Sequence, residues 1–233
     1  MRYSEKIDKA IEKAVILHRN QERLTPERIP YIAHIFSVYI QLSRYTKDED
    51  VLIAGVLHDA VEDTDYSLDE LEKDFGISVR HMVAGVTEPK FDVYGKKLPW
   101  KVRKVAYLEG LRHDSQESMT ICVADKICNL RSLEADYHTY GDELWNMLTA
   151  SFQDKMWYHT EVVKILEGRM HNQRAVADLK QTLEGTRRNI LGLEEGKKSF
   201  MRRALYLPIT GLYTLRLRGL SARIFGYGKR NTN

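Results

Sequence analysis

Residues 57–64 constrain the fold of this chain more than any other stretch. They place one imidazole and three carboxylates (His58, Asp59, Glu62 and Asp63) at the end of the apolar run 51–57. An apolar run of this kind is buried, and burying titratable groups is costly unless a metal, a proton or a partner compensates. A divalent cation is the simplest compensation. Read as one helix over about 48–62, the stretch puts His58 four residues before Glu62 and Asp59 four before Asp63. Each pair then shares a face, about 6 Å apart along the axis. The expectation is two metal ligands with two flanking carboxylates around one spot.

The remaining ligands must come from elsewhere. His34 stands alone in the apolar helical pattern of residues 30–38, and Asp125 is embedded in the apolar segment 121–130. Taken singly, His34 reads as a hydrogen-bonded core histidine and Asp125 as a lysine-paired acid. Taken together, His34, His58, Asp59 and Asp125 read as a ligand set. Neutral imidazole with ionised carboxylate suits Mn²⁺, Fe²⁺ or Zn²⁺ better than an all-oxygen Mg²⁺ site. Glu62 and Asp63 are then the candidate catalytic acids, since a carboxylate beside an activated water can take its proton. Asn129, four residues after Asp125, faces the same way and can donate to a ribose or phosphate. Arg23 can stack on a base or pair with a phosphate.

The rest of the chain is helical in pattern. Ile7, Ala10, Ile11, Ala14, Val15 and Leu17 mark one face of a helix over 4–19. Further helices are expected at 31–44, 78–87, 99–113, around Asp125, at 142–168 and at 171–195. Ser67 with Glu70 forms a capping box for a short helix that Gly76 ends. No strand alternation appears, which predicts an all-α domain with ligands projecting into a helical core. With 43% hydrophobic residues there is enough apolar side chain for that core. We expect this domain at 1–170 and a helical, basic extension at 171–233. Cys122 and Cys128 read as reduced core thiols. The N-terminus carries no apolar signal core, and no run of about 18 apolar residues exists. The expectation is a cytoplasmic protein without a transmembrane segment.

Charge is unevenly placed. Residues 196–233 hold nine Lys and Arg and no acid, leaving 27 bases against all 33 acids before them. Such a segment suits an anionic partner (RNA or a membrane surface), a clamp between subunits of a homo-oligomer, or an ordinary exposed terminus. A second basic group, Lys96, Lys97, Lys101, Arg103 and Lys104, either attracts an anionic substrate or forms a solvated helix face. Lys126 and Arg131 read as structural or surface bases.

The order H…HD…D resembles that of the HD phosphohydrolases. The likeness extends further. His58-Asp59-Ala60-Val61-Glu62-Asp63-Thr64, Ser67-Leu68-Asp69-Glu70 with Phe75-Gly76, Val86-Thr87, and Ala124-Asp125-Lys126 with Asn129-Leu130-Arg131 resemble the hydrolase domain of RelA/SpoT-type alarmone enzymes. So do His18, Gln21 and Arg23 followed by Pro30-Tyr31. The resemblance covers roughly residues 5–135. It implies an HD-domain helical bundle, Mn²⁺ in the core, and hydrolysis of guanosine 3′,5′-bis(diphosphate) (ppGpp) at the 3′-pyrophosphate. It also implies that Glu62 and Asp63 orient or activate the water and that Arg23 stacks on the nucleotide. Leu24 and Gly110 depart from the family, where a Lys and a His are common. Other readings are a nucleotide phosphatase of the wider superfamily and a non-catalytic nucleotide-binding signalling module. After Met170 only 63 residues remain, without strand alternation or a Gly-rich phosphate loop, so no synthetase activity is expected.

Overall fold

The computed structural model describes residues 4–92 and 94–205. The helices are α1 (Glu5–His18), α2 (Ile32–Leu42), α3 (Glu49–Val56), α4 (Ala60–Asp63), α5 (Leu68–Phe75) and α6 (Ile77–Val86). Then come α7 (Trp100–Leu111), α8 (Gln116–Tyr140), a 3₁₀ turn (Gly141–Glu143), α9 (Leu144–Met147), α10 (Phe152–Arg169) and α11 (Gln173–Leu205). No strand occurs among the described residues, so the fold is all-α. Two isolated bridges, Glu22 with Pro30 and Phe91 with Lys97, clip loops shut. The first is reinforced by Arg23 N–H to Ile29 O and Tyr31 N–H to Gln21 O, at 2.9 and 2.8 Å. It fixes where Arg23 and Tyr31 stand.

Local chemistry sets the ends. Ser4, Asp48, Ser67, Ser115 and Ser151 each accept a backbone N–H at the start of a helix. The capping box of Ser67 and Glu70 forms as expected. Gly76 ends α5 at φ 94°, a left-handed position that favours glycine.

Two expected helices are interrupted. The segment read as one helix over 48–62 is α3, a turn, and α4. In an unbroken helix the Gly55 carbonyl would accept the Asp59 N–H. It takes His58 Nδ1–H at 2.9 Å instead. Leu57 sits at φ −105°, ψ 9°, and Ala60 N–H bonds Leu57 O at 3.0 Å, tightening the chain there. The segment read as 142–168 breaks after Met147, where Leu148 turns extended, and Ser151 caps a new helix by accepting from Asp154 N–H.

Two clusters of buried apolar side chains form the interior. Ala10, Ile35, Leu52, Leu71 and Val83 lie in one; Leu111, Leu133, Val162, Leu166 and Leu179 lie in the other. Helix α8 serves both, with Ile121, Ala124 and Cys128 in the first and Met119, Val123, Ile127 and Leu130 in the second. Helix α2 packs on both α3 and α8. A Cβ on Gly55 would lie 2.2 Å from Leu42 Cδ2, so glycine permits the close approach of α3 to α2. Among the described residues, a first compact unit closes at Ile190. It runs past the boundary expected at 170, because Ala175, Val176, Leu179, Leu183 and Ile190 are buried in its core. No helix among the described residues is long and apolar enough to cross a membrane.

Candidate metal centre and flanking cleft

The four residues singled out as ligands meet. His34 comes from α2, His58 and Asp59 from the turn between α3 and α4, and Asp125 from α8. Donor atoms of His34, His58 and Asp59 lie within 4.8 Å of one another. His34 Nε2 is 3.2 Å from Asp125 Oδ1 and 3.7 Å from Asp59 Oδ2. His58 Nε2 is 3.0 Å from Asp59 Oδ2 and 3.8 Å from Asp125 Oδ1.

These residues fit a divalent ion. His58 must donate from Nδ1, because its partner there is a carbonyl that only accepts. A neutral His58 ring therefore turns an Nε2 lone pair toward two carboxylates, and that buried nitrogen has no hydrogen-bond partner. Lone pairs converging in a buried space repel unless a cation lies between them. The protonation preferences agree. Burial would keep His58 neutral, yet Asp59 and Asp125 outweigh it and raise its pKa well above 6.5. Burial would raise Asp125, but Lys126 and the two imidazoles outweigh it and hold the carboxyl well below the usual range. A site that draws a proton this strongly has an excess of negative charge, which a divalent ion can take up in the proton's place.

Further groups brace the centre. Tyr31 O–H donates to Asp59 Oδ2 at 2.5 Å. Burial, then Asp59, raise the Tyr31 pKa far above 10, so it stays a donor. Asn129 donates to Asp125 Oδ1 at 2.6 Å, and Lys126 to Oδ2 at 2.5 Å. Lys126 is buried under the rings of Tyr107 and Tyr158, 5.1 and 5.6 Å from their centroids, so of the two readings, structural or surface base, it is the structural one. Asn129 faces Asp125 as expected, but its amide is already engaged there. Partners of metal ligands typically matter about 10–100-fold in metal affinity or activity. Tyr31→Phe is expected to weaken metal binding by about that factor with the fold intact, measured by metal titration alongside thermal unfolding. Unchanged affinity would mean that the Tyr31 hydroxyl does not support Asp59.

Glu62 and Asp63 lie on α4, the separate turn, and not on a shared helix with His58 and Asp59. Glu62 lines a cavity of about 120 Å³ together with His58, Asp59, Asp125, Glu88 and Lys126. Its Oε2 accepts the Glu88 N–H at 3.0 Å. Burial, then the Asp59 charge, push its pKa up to about 7, a suitable range for proton transfer near neutrality. Asp63 does not line this cavity; its carboxylate pairs with Lys90. The Asp63 carbonyl accepts from Gln21 Nε2 at 2.6 Å, and Gln21 is held by His18 Nδ1 at 2.7 Å.

Arg23 donates to Ser132 Oγ at 3.0 Å and lies 3.8 Å from Asp136. Together with Asn129 it lines two adjoining cavities. One, of about 190 Å³, includes Tyr31 and His34. The other, of about 180 Å³, includes Trp100, Lys104, Lys155 and His159. Lys104 also lines the cavity at the metal centre. Of the five bases noted in sequence, Arg103 and Lys104 turn inward onto buried Glu88, while Lys96, Lys97 and Lys101 are exposed. Sequence reading missed Glu88, Lys155 and His159 as neighbours of the site. The spacing of four between Lys155 and His159 was a usable signal; Glu88 carried none.

A helical core whose H…HD…D residues converge is the arrangement of an HD domain. The HD domain model matches residues 10–151, and the chain belongs to this family. The mouse protein guanosine-3′,5′-bis(diphosphate) 3′-pyrophosphohydrolase MESH1 is 36% identical over 177 residues, 75% of this chain and 91% of the mouse protein. Its human counterpart is 36% identical over 161 residues, covering 68% and 83% of the two chains. A solved structure described as a metazoan ortholog of SpoT that hydrolyses ppGpp superimposes with a TM-score of 0.64 at 29% identity. That match covers 79% of this chain and 97% of the other.

Proposed function

We propose that this chain is a metal-dependent hydrolase that removes the 3′-pyrophosphate of guanosine 3′,5′-bis(diphosphate). The observation that carries this reading is the inward convergence of His34, His58, Asp59 and Asp125, with Glu62 lining the cavity shared by His58, Asp59 and Asp125. The relatives that bear the name of this activity support it. The reaction consumes water and yields GDP and pyrophosphate: a P–O bond forms from water, and the bond to the ribose 3′ oxygen breaks. A bound divalent ion supplies Lewis acidity toward water and phosphoryl oxygen. Mn²⁺ is the ion we assign on the likeness to the alarmone hydrolases; the donor set of two imidazoles and two carboxylates suits Fe²⁺ or Zn²⁺ as well. Glu62 accepts the proton from water. Lys90 and Gln21 fix Asp63 beside it. Arg23, held by Ser132 and Asp136, offers a flat guanidinium to the base. The setting we assign is the cytoplasm.

The test is turnover with Mn²⁺ of nucleotides carrying a 3′-pyrophosphate, a 5′-triphosphate or a 5′-monophosphate. Only the first should be cleaved. Equal cleavage of all three would favour a general nucleotide phosphatase, and no cleavage by metal-loaded protein would favour a binding module.

The basic segment 196–233 is proposed separately to contact an anionic partner, RNA or a membrane surface, or an acidic face of a second subunit. Residues 206–233 lie outside the described residues, so the support is the charge split alone. A truncation after Glu195 leaves the first compact unit, which closes at Ile190, complete. It should keep metal and turnover yet lose binding to RNA or anionic vesicles that weakens steeply with salt. Identical binding and oligomer mass in both forms would make the segment an ordinary terminus.

A further inference from the structure

The ammonium of Lys155 has no hydrogen-bond or ion-pair partner among the described residues, although the side chain is only partly exposed. It lines the 180 Å³ cavity with Arg23, Lys104, Asn129 and His159. Partly desolvating an ammonium costs free energy that a carboxylate normally returns, and none among the described residues does so for Lys155. The one acid lining this cavity, Asp136, faces Arg23. Lys104 is already paired with the buried Glu88. His159 is buried on the same wall, one helical turn from Lys155, and its Nδ1 has no hydrogen-bond partner. This part of the cleft therefore holds more positive charge and more unused hydrogen-bonding capacity than the protein itself satisfies.

We propose that Lys155, flanked by Lys104 and His159, forms a subsite for a second phosphate group of the substrate, the one that is not hydrolysed. The inference rests on reading the cleft as a nucleotide site. Arg23 and Asn129 border both the cavity that contains His34 and the cavity that contains Lys155. A nucleoside phosphorylated on both ribose oxygens can reach the metal centre with one arm and Lys155 with the other. Burial and the neighbouring Lys104 both depress the Lys155 pKa, and a phosphate relieves both effects at once. The subsite makes Lys155 a specificity residue: it favours a nucleotide with a 5′-phosphate over the bare nucleoside.

GDP, the product of the proposed reaction, is the probe, compared with guanosine in calorimetric titrations of the full chain in Mn²⁺ buffer. The wild-type chain should bind GDP more tightly than guanosine. Lys155→Ala and Lys155→Gln should weaken GDP binding by about 10–100-fold, the range for losing a charged hydrogen bond. Lys155→Arg should retain most of the affinity, and guanosine binding should not change in any variant. Unchanged GDP affinity in both neutral variants would overturn the subsite, as would equal wild-type affinity for GDP and guanosine. If guanosine 3′,5′-bis(diphosphate) is not turned over but loss of Lys155 still weakens GDP binding, the hydrolase reading fails and the subsite stands.

Discussion

Asp59→Ala is expected to strip the metal from the protein and to abolish measurable turnover. Asp59 is the proposed ligand nearest to His58, at 3.0 Å, and it accepts the Tyr31 hydroxyl. Loss of a partner that only supports a ligand costs about 10–100-fold, so loss of a ligand itself should exceed that range. Metal content after purification without chelator is the measurement, with His58→Ala as the companion variant. Full metal content in both would show that the convergence of these side chains is a hydrogen-bonded polar core and nothing more.

Glu62→Gln combined with Asp63→Asn should leave metal and fold in place and lower turnover by about 10²–10⁴-fold, the usual worth of general acid–base assistance. The two acids should contribute unequally. Glu62 lines the cavity at the metal centre with a pKa near neutrality, whereas Asp63 is tied to Lys90. Glu62→Gln alone should therefore account for most of the loss. Metal-loaded double variant with full activity would reduce both acids to a solvated helix end.

The meeting of His34, His58, Asp59 and Asp125 was legible in sequence, because each is a polar residue set in an apolar helical run. Two kinds of feature were not. The first is the break between α3 and α4, which depends on the His58 ring taking the Gly55 carbonyl, a competition that a helical periodicity does not register. The second is the set of groups that reach the site through tertiary packing. Sequence left Lys126 open as a structural or a surface base, because the Tyr107 and Tyr158 rings that cover it come from α7 and α10. Glu88 is buried beneath Arg103 and Lys104, which are distant from it in sequence. The break after Met147 was readable in hindsight, since Ser151 and Asp154 are a capping pair. The longer helical pattern hid it.

Helix α8 is the wall shared by both apolar clusters, and it carries Asp125, while the other three metal-facing residues come from α2 and the turn after α3. An ion held by all four would act as a non-covalent staple across the 90 residues between His34 and Asp125. Binding only the folded form, it would add stability by mass action, about 2.7 kcal/mol at a hundred times its dissociation constant. Chelation would then do more than silence the enzyme. It would shorten the lifetime of the chain against proteases, so the supply of metal would set how much of the protein persists as well as how fast it works.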